Sequence, residues 1–408
     1  MPQYKMPRLI LSAALMVILA CGTILAADFA DYFKAGLDAE DAGNLDDALK
    51  YYSEAIKIFP SSARALAKRA EVYLKRGDPQ AAIRDLVAAV RSDPAYEAAF
   101  TRLGFAYNAV NQFDKALEAL DIAVKLEPTS SEAYNTRGFA FNGKNDFESG
   151  IKDFDRAIRL NERDARYYNN RGFAYNSRHQ YERAIEDFNR AIQLDAKNDM
   201  FYNNRGVAYL RKKEFDKALL DLDKAIELNS KSLSAYHNRG MAYSGKGRHE
   251  KAVEEFSKVL EMSPNSPVLL KDRGTAYRKL GEYELALADF RKAIAEDKNF
   301  APGYAGLALL HALAPEPPIR NPTQALRMAK KAVTLTEGKS PDMLEALAEV
   351  QHALNDDGAA VATLGRALAM DPQNKEYREL LAKWGGGTTR PVNPTAGKSV
   401  SGPFTTLW

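Results

Sequence analysis

The side chains best suited to proton transfer or metal ligation near neutral pH are five histidines: His179, His237, His249, His311 and His352. They are scattered through the chain. His249-Glu250 opens like a zinc-protease helix motif, but no second histidine follows at the spacing a metal would need. The one cysteine, Cys21, lies in an apolar run near the start. The body therefore has no thiol for a disulfide, a cysteine metal site or thiol catalysis. No GxxxxGKS or GxxxxGKT loop occurs, and the glycines Gly385 to Gly387 open no helical pattern that could cradle a phosphate. Acid pairs such as Asp46-Asp47 and Glu254-Glu255 sit on faces where solvated charge is the ordinary occupant. No catalysis, cofactor, metal or small-molecule substrate is expected.

Arginine and asparagine carry a different chemistry, because they recur. Tyr168 to Tyr175 reads YNNRGFAY; it returns as YNNRGVAY at Tyr202 to Tyr209 and YHNRGMAY at Tyr236 to Tyr243, with a looser YNTRGFAF at Tyr134 to Phe141. Gly138, Gly172, Gly206, Gly240 and Gly274 stand 34 residues apart, and a fixed period of that size means stacked structural repeats. Ten units fit, starting near residues 29, 63, 97, 131, 165, 199, 233, 267, 301 and 341, with the glycine at place 8. Place 7 is arginine in six of them: Arg69, Arg137, Arg171, Arg205, Arg239 and Arg273. In the same six, place 23 is acidic: Asp85, Asp153, Asp187, Asp221, Glu255 and Asp289. The other four have Ala35, Leu103, Leu307 or Leu347 at place 7 and Tyr51, Ala119, Met328 or Thr363 at place 23. This covariation within one chain predicts an Arg–carboxylate pair internal to each repeat, replaced elsewhere by apolar contact. Arginines set to bind a ligand carboxylate or phosphate are the competing reading.

Two apolar stripes must position these groups. Places 4, 8 and 11 (Tyr168, Gly172, Tyr175) fall on one face of a first helix, and places 20, 24 and 27 (Ala184, Phe188, Ala191) on one face of a second. With Pro60, Pro94, Pro128, Pro264 and Pro372 closing units, the pattern resembles the tetratricopeptide repeat (TPR) over most of the chain. The resemblance implies an all-α fold, a right-handed superhelix of about ten helical hairpins over residues 27–384. Unit nine departs from the frame: alanine comes at Ala325, five residues late, in a segment with Pro315, Pro317, Pro318 and Pro322. A protruding loop is expected there. Lys375 to Trp384 reads as a capping helix. Residues 385–408 read as a disordered tail, in which Phe404, Leu407 and Trp408 are the bulky apolar residues and a docking end is the competing reading.

In TPR proteins the flank holding places 2, 5, 9 and 12 of the first helices lines the concave face, where extended peptides bind. Here place 9 is apolar in successive units: Phe105, Phe139, Phe173, Val207 and Met241. Around it lie Asn135, Asn169 and Asn203 at place 5, Asn170, Asn204 and Asn238 at place 6, and Asn108, Asn142 and Asn176 at place 12. An asparagine amide both donates and accepts, so such rows suit a peptide backbone of any sequence. They equally suit links between neighbouring hairpins. The TPR subtype that grips a terminal carboxylate has asparagine at place 9, so that mode is not expected.

Bulk properties narrow the partner. The chain has 408 residues, 46% hydrophobic and 27% charged, and a formal charge of +3, which gives no electrostatic case for nucleic acid. Lys5 and Arg8 precede the apolar run Leu9 to Ala20, and Leu25-Ala26-Ala27 ends in small residues, so residues 1–26 read as an export signal. Lipidation at Cys21 or an uncleaved anchor are the alternatives, and the periplasm the expected compartment. The functional expectation is a non-enzymatic adaptor that binds an extended protein segment. A structural scaffold acting through its convex face or ends, self-association included, is the alternative.

Overall fold

The computed structural model describes residues 8–315 and 317–385, with side chains described from residue 25. Every regular element among them is an α-helix, and no strand occurs. The chain divides into two compact units, residues 1–196 and 197–408. The first contains five hairpins: α1 (Arg8–Asp41) with α2 (Leu45–Ile58), α3 (Ala63–Lys75) with α4 (Pro79–Ser92), α5 (Glu97–Ala109) with α6 (Phe113–Leu126), α7 (Ser131–Gly143) with α8 (Phe147–Leu160), and α9 (Ala165–Ser177) with α10 (Tyr181–Leu194). The second contains five more: α11 (Asp199–Arg211) with α12 (Phe215–Leu228), α13 (Leu233–Gly245) with α14 (His249–Met262), α15 (Pro267–Leu280) with α16 (Tyr283–Glu296), α17 (Ala301–Leu313) with α18 (Pro322–Leu335), and α19 (Pro341–Ala353) with α20 (Asp357–Met370). The single helix α21 (Lys375–Trp384) ends it. The fold is an all-α solenoid of helical hairpins.

Local chemistry explains the hairpins. Ser62, Ser130 and Asn374 accept hydrogen bonds from the backbone N–H three residues on, capping α3, α7 and α21. The reversal between paired helices falls at place 15, where Gly43, Gly77, Asn111, Asn145, His179, Lys213, Gly247, Gly281 and Asn355 all have φ between 58° and 83°. Glycine and asparagine tolerate that left-handed backbone best, so His179 and Lys213 are the strained members.

Inside each hairpin a small residue faces a large one. A Cβ added to Gly138, Gly172 or Gly240 would come within 2.7, 2.8 or 2.6 Å of the rings of Phe154, Phe188 and Phe256, so place 8 must stay small where place 24 is phenylalanine. Residues 1–7 and 386–408 lie outside the described residues, and with them most of the expected tail. The helix α1 runs through Ala26 without a break. No described helix is long and apolar enough to cross a membrane.

The proline segment of hairpin nine is pinned rather than a free arm. Pro315, Pro317 and Pro318 are exposed, but Ile319 returns to the core beside Leu307 and Leu310. The carbonyl of Ile319 lies 2.6 Å from His311 Nδ1, and Asn321 N–H donates to the His311 carbonyl. The helix α21 buries Tyr377 against Leu344 and Leu364, and Trp384 stacks on His352 at 4.6 Å. These contacts cover the apolar face that hairpin ten would otherwise expose.

Candidate functional site

The six place-7 arginines all reach across their own hairpin. Arg69, Arg137, Arg171, Arg205 and Arg273 donate from Nε and Nη2 to both oxygens of Asp85, Asp153, Asp187, Asp221 and Asp289, at 2.6 to 2.9 Å. Arg239 donates both bonds to a single oxygen of Glu255, at 3.1 and 2.8 Å. The acids are buried, 4 to 8% exposed. Such planar two-bond pairs have the strongest geometry available to arginine.

A third bond was not anticipated from the sequence. The remaining Nη1 points back to the preceding hairpin: Arg69 to Ser53 (3.1 Å), Arg137 to Asp121 (2.9 Å), Arg171 to Asp155 (2.6 Å), Arg239 to Asp223 (2.7 Å) and Arg273 to Ser257 (3.1 Å). Each partner is place 25 of the unit before. The signal was present in the chain, for Leu103 and Leu307, which lack the guanidinium, follow units with Val87 and Arg291 at that place. The arginine thus fastens its hairpin internally and to its predecessor. Burial works against the Arg171 charge, and Asp187 with Asp155 outweigh it, so the guanidinium holds its proton more tightly than usual. Arg273 also lines a cleft with Ser257, Glu261 and Lys292, but its Nε and Nη2 bond Asp289 and its Nη1 bonds Ser257, so its fork is already occupied.

The asparagine rows form a ladder between neighbouring first helices. Asn170 Nδ2 donates to Asn135 Oδ1 at 2.9 Å, and Asn238 repeats the bond to Asn203 at 2.9 Å. One rung further, His237 Nε2 lies 2.8 Å from Asp272 Oδ2. Burial of Asp272 raises its pKa, but Lys271 and His237 outweigh it and hold the carboxyl below its ordinary range. Asn108 Nδ2 donates to the Thr136 carbonyl at 3.0 Å. Asn142 turns its Oδ1 to the backbone of Gly150, where an added Cβ would lie 2.4 Å away.

Asn108, Asn135, Asn142 and Asn169 are buried, 6 to 8% exposed. Burial withdraws these four from solvent, and Asn108 and Asn135 link neighbouring hairpins, which revises the expectation that all four face a bound chain. Asn170, Asn176, Asn203, Asn204 and Asn238 keep partial exposure. Place 9 faces outward. Phe105, Phe139 and Met241 are 52, 40 and 41% exposed, while Phe173 and Val207 are partly buried. The histidines stay dispersed, and no cluster of possible metal ligands occurs among the described residues.

Comparison with known proteins agrees with the geometry. Models described as "Tetratricopeptide repeat" or "TPR repeat" match residues 33–100, 74–137, 131–164, 174–213, 200–232 and 231–299, and the chain belongs to the tetratricopeptide repeat family. Among curated relatives it is 38% identical to the small glutamine-rich tetratricopeptide repeat-containing protein 2 of Saccharomyces cerevisiae over 72 residues, 18% of this chain and 21% of that protein. It is 35% identical to Hsp70-Hsp90 organizing protein 3 of Arabidopsis thaliana over 72 residues, 18% of this chain and 13% of that one. The match therefore spans about a fifth or less of those relatives. Among solved structures, a tetratricopeptide repeat protein from Parabacteroides merdae aligns with a TM-score of 0.51 at 19% identity, over 60% of this chain and 98% of that one.

Proposed function

We propose that the chain is a non-enzymatic adaptor that holds an extended segment of a partner protein along the outward flank of its first helices. One observation carries the reading. Phe105 on α5 and Phe139 on α7 occupy the same place one period apart, 52 and 40% exposed, each one helical turn from a buried asparagine, Asn108 or Asn135. Exposed rings in register on rigid helices are costly to keep wet and suit side-chain anchors of a bound chain. Relatives whose names describe the organising of Hsp70 and Hsp90 favour a protein as the class of ligand.

Covering each ring would contribute about 1–2 kcal/mol, so two or three rungs with a few backbone hydrogen bonds reach the micromolar range. Export to the periplasm belongs to the same proposal and rests on Lys5, Arg8 and the apolar run that follows. The test is peptide selection on the full chain, followed by affinity measurement for Phe105→Ala and Phe139→Ala. A loss of about tenfold for each is expected. Leu220, 72% exposed on the second helix α12, supplies the control. Sensitivity at Leu220 with indifference at both phenylalanines would favour the scaffold reading.

A further inference from the structure

Charged side chains on the flank around the two exposed phenylalanines are already matched to one another. Before them, Glu40 accepts from Lys75 at 2.6 Å and lies 3.7 Å from Lys68. Lys68 also pairs with Glu71 at 2.8 Å, and Glu71 in turn with Arg102 on α5. Beyond them, Glu132 on α7 pairs with Arg166 on α9 at 2.8 Å, and Arg166 with Asp164 at 2.6 Å. Phe105 and Phe139 thus sit between two networks in which every charged group already has a partner, three cations sharing two acids on one side and one cation bridging two acids on the other. Such matching is not automatic on this flank. The equivalent places of α19 hold Asp342, Glu345 and Glu349, and none of these has an ion-pair partner among the described residues.

We infer that the flank of α5, α7 and α9 takes an uncharged extended segment of a partner protein, anchored by aromatic or aliphatic side chains. The inference rests on the adaptor reading and specifies the ligand's chemistry. A ligand carboxylate or ammonium placed here would meet charges that already have partners, so it would break a network or lose its own hydration without compensation. Apolar anchors cover Phe105 and Phe139 and leave the networks whole. Exposed ionic contacts are screened by salt and apolar ones are not, so the two kinds of ligand differ in a measurable way.

The test uses dodecamer peptides selected from a random library on the full-length chain, then synthesised. The expected peptides carry no net charge, have aromatic or aliphatic residues in common, and change affinity less than about twofold between 50 and 500 mM salt. Their affinity falls about tenfold with Phe139→Ala. Peptides that depend on Phe139 yet share conserved charges, and weaken about tenfold or more over that salt range, would overturn the inference and leave the adaptor reading standing. Selected peptides indifferent to both Phe105→Ala and Phe139→Ala would remove the adaptor reading itself, and the inference with it.

Discussion

Breaking one arginine clamp separates its parts, and hairpin five offers the cleanest case. Arg171 holds Asp187 through two bonds of 2.9 and 2.7 Å and Asp155 through a third of 2.6 Å. Asp187 is 5% exposed and has no second ion-pair partner among the described residues, whereas about a fifth of the Arg171 side chain is exposed and it rests on the rings of Tyr168 and Tyr175. Arg171→Leu strands the buried acid and should cost about 3–5 kcal/mol, the range for a broken buried pair. Asp187→Ala leaves an arginine that keeps Asp155 and some water, so about 2–3 kcal/mol is expected. The double substitution rebuilds the apolar solution this chain already uses at Leu103 and Ala119, and should lie within about 1 kcal/mol of wild type. Stacked repeats need not unfold in one step. Amide exchange in α9 and α10 should therefore be read beside urea denaturation. A double variant as unstable as the sum of the singles would refute the clamp and point to independent roles.

Other consequences follow from the same geometry. Gly172→Ala pushes a methyl group to 2.8 Å from the Phe188 ring and should cost about 1–3 kcal/mol in thermal or urea unfolding. Adding Phe188→Leu should recover most of it, since hairpin two already pairs Ala70 with Leu86. His179 holds φ 59°, so His179→Gly should raise stability by about 1 kcal/mol, most visibly as slower amide exchange across the α9–α10 turn. Burial, then the like charges of Glu349, Glu376 and Asp342, push the Glu345 carboxyl up to about 7. A carboxyl raised in the folded state destabilises that state wherever it is ionised, so stability is lost as pH rises from the unfolded value of 4.5 through about 7. Glu345→Gln should match wild type below pH 4.5 and exceed it above pH 7. The gap should be about 1–2 kcal/mol once screening of a partly exposed group is allowed for, and denaturation at the two pH values measures it.

Much of this architecture was legible because repetition supplies internal comparison. Covariation of places 7 and 23 within one chain pointed to the Arg–acid pairs that the side chains form. The place-25 partners escaped because they belong to the preceding unit, and pairing places inside a single unit cannot reveal them. The asparagine rows were visible, but spacing alone does not tell which side of a helix flank meets the next hairpin. That is settled by how closely neighbouring first helices approach, and the approach buries Asn135 and Asn169 while leaving Phe139 40% exposed. In hairpin nine the prolines announced an interruption, yet nothing in their spacing said that Ile319 would fold back beneath α17.

If a partner chain lies along the first helices as proposed, it passes over place 9. A photo-reactive benzoylphenylalanine at position 139, and separately at position 220 on α12, tests it directly with a selected peptide. Covalent capture is expected from position 139, competed by excess unlabelled peptide, and none from position 220. Capture from position 220 with none from position 139 would place the partner on the second helices instead and end the proposal.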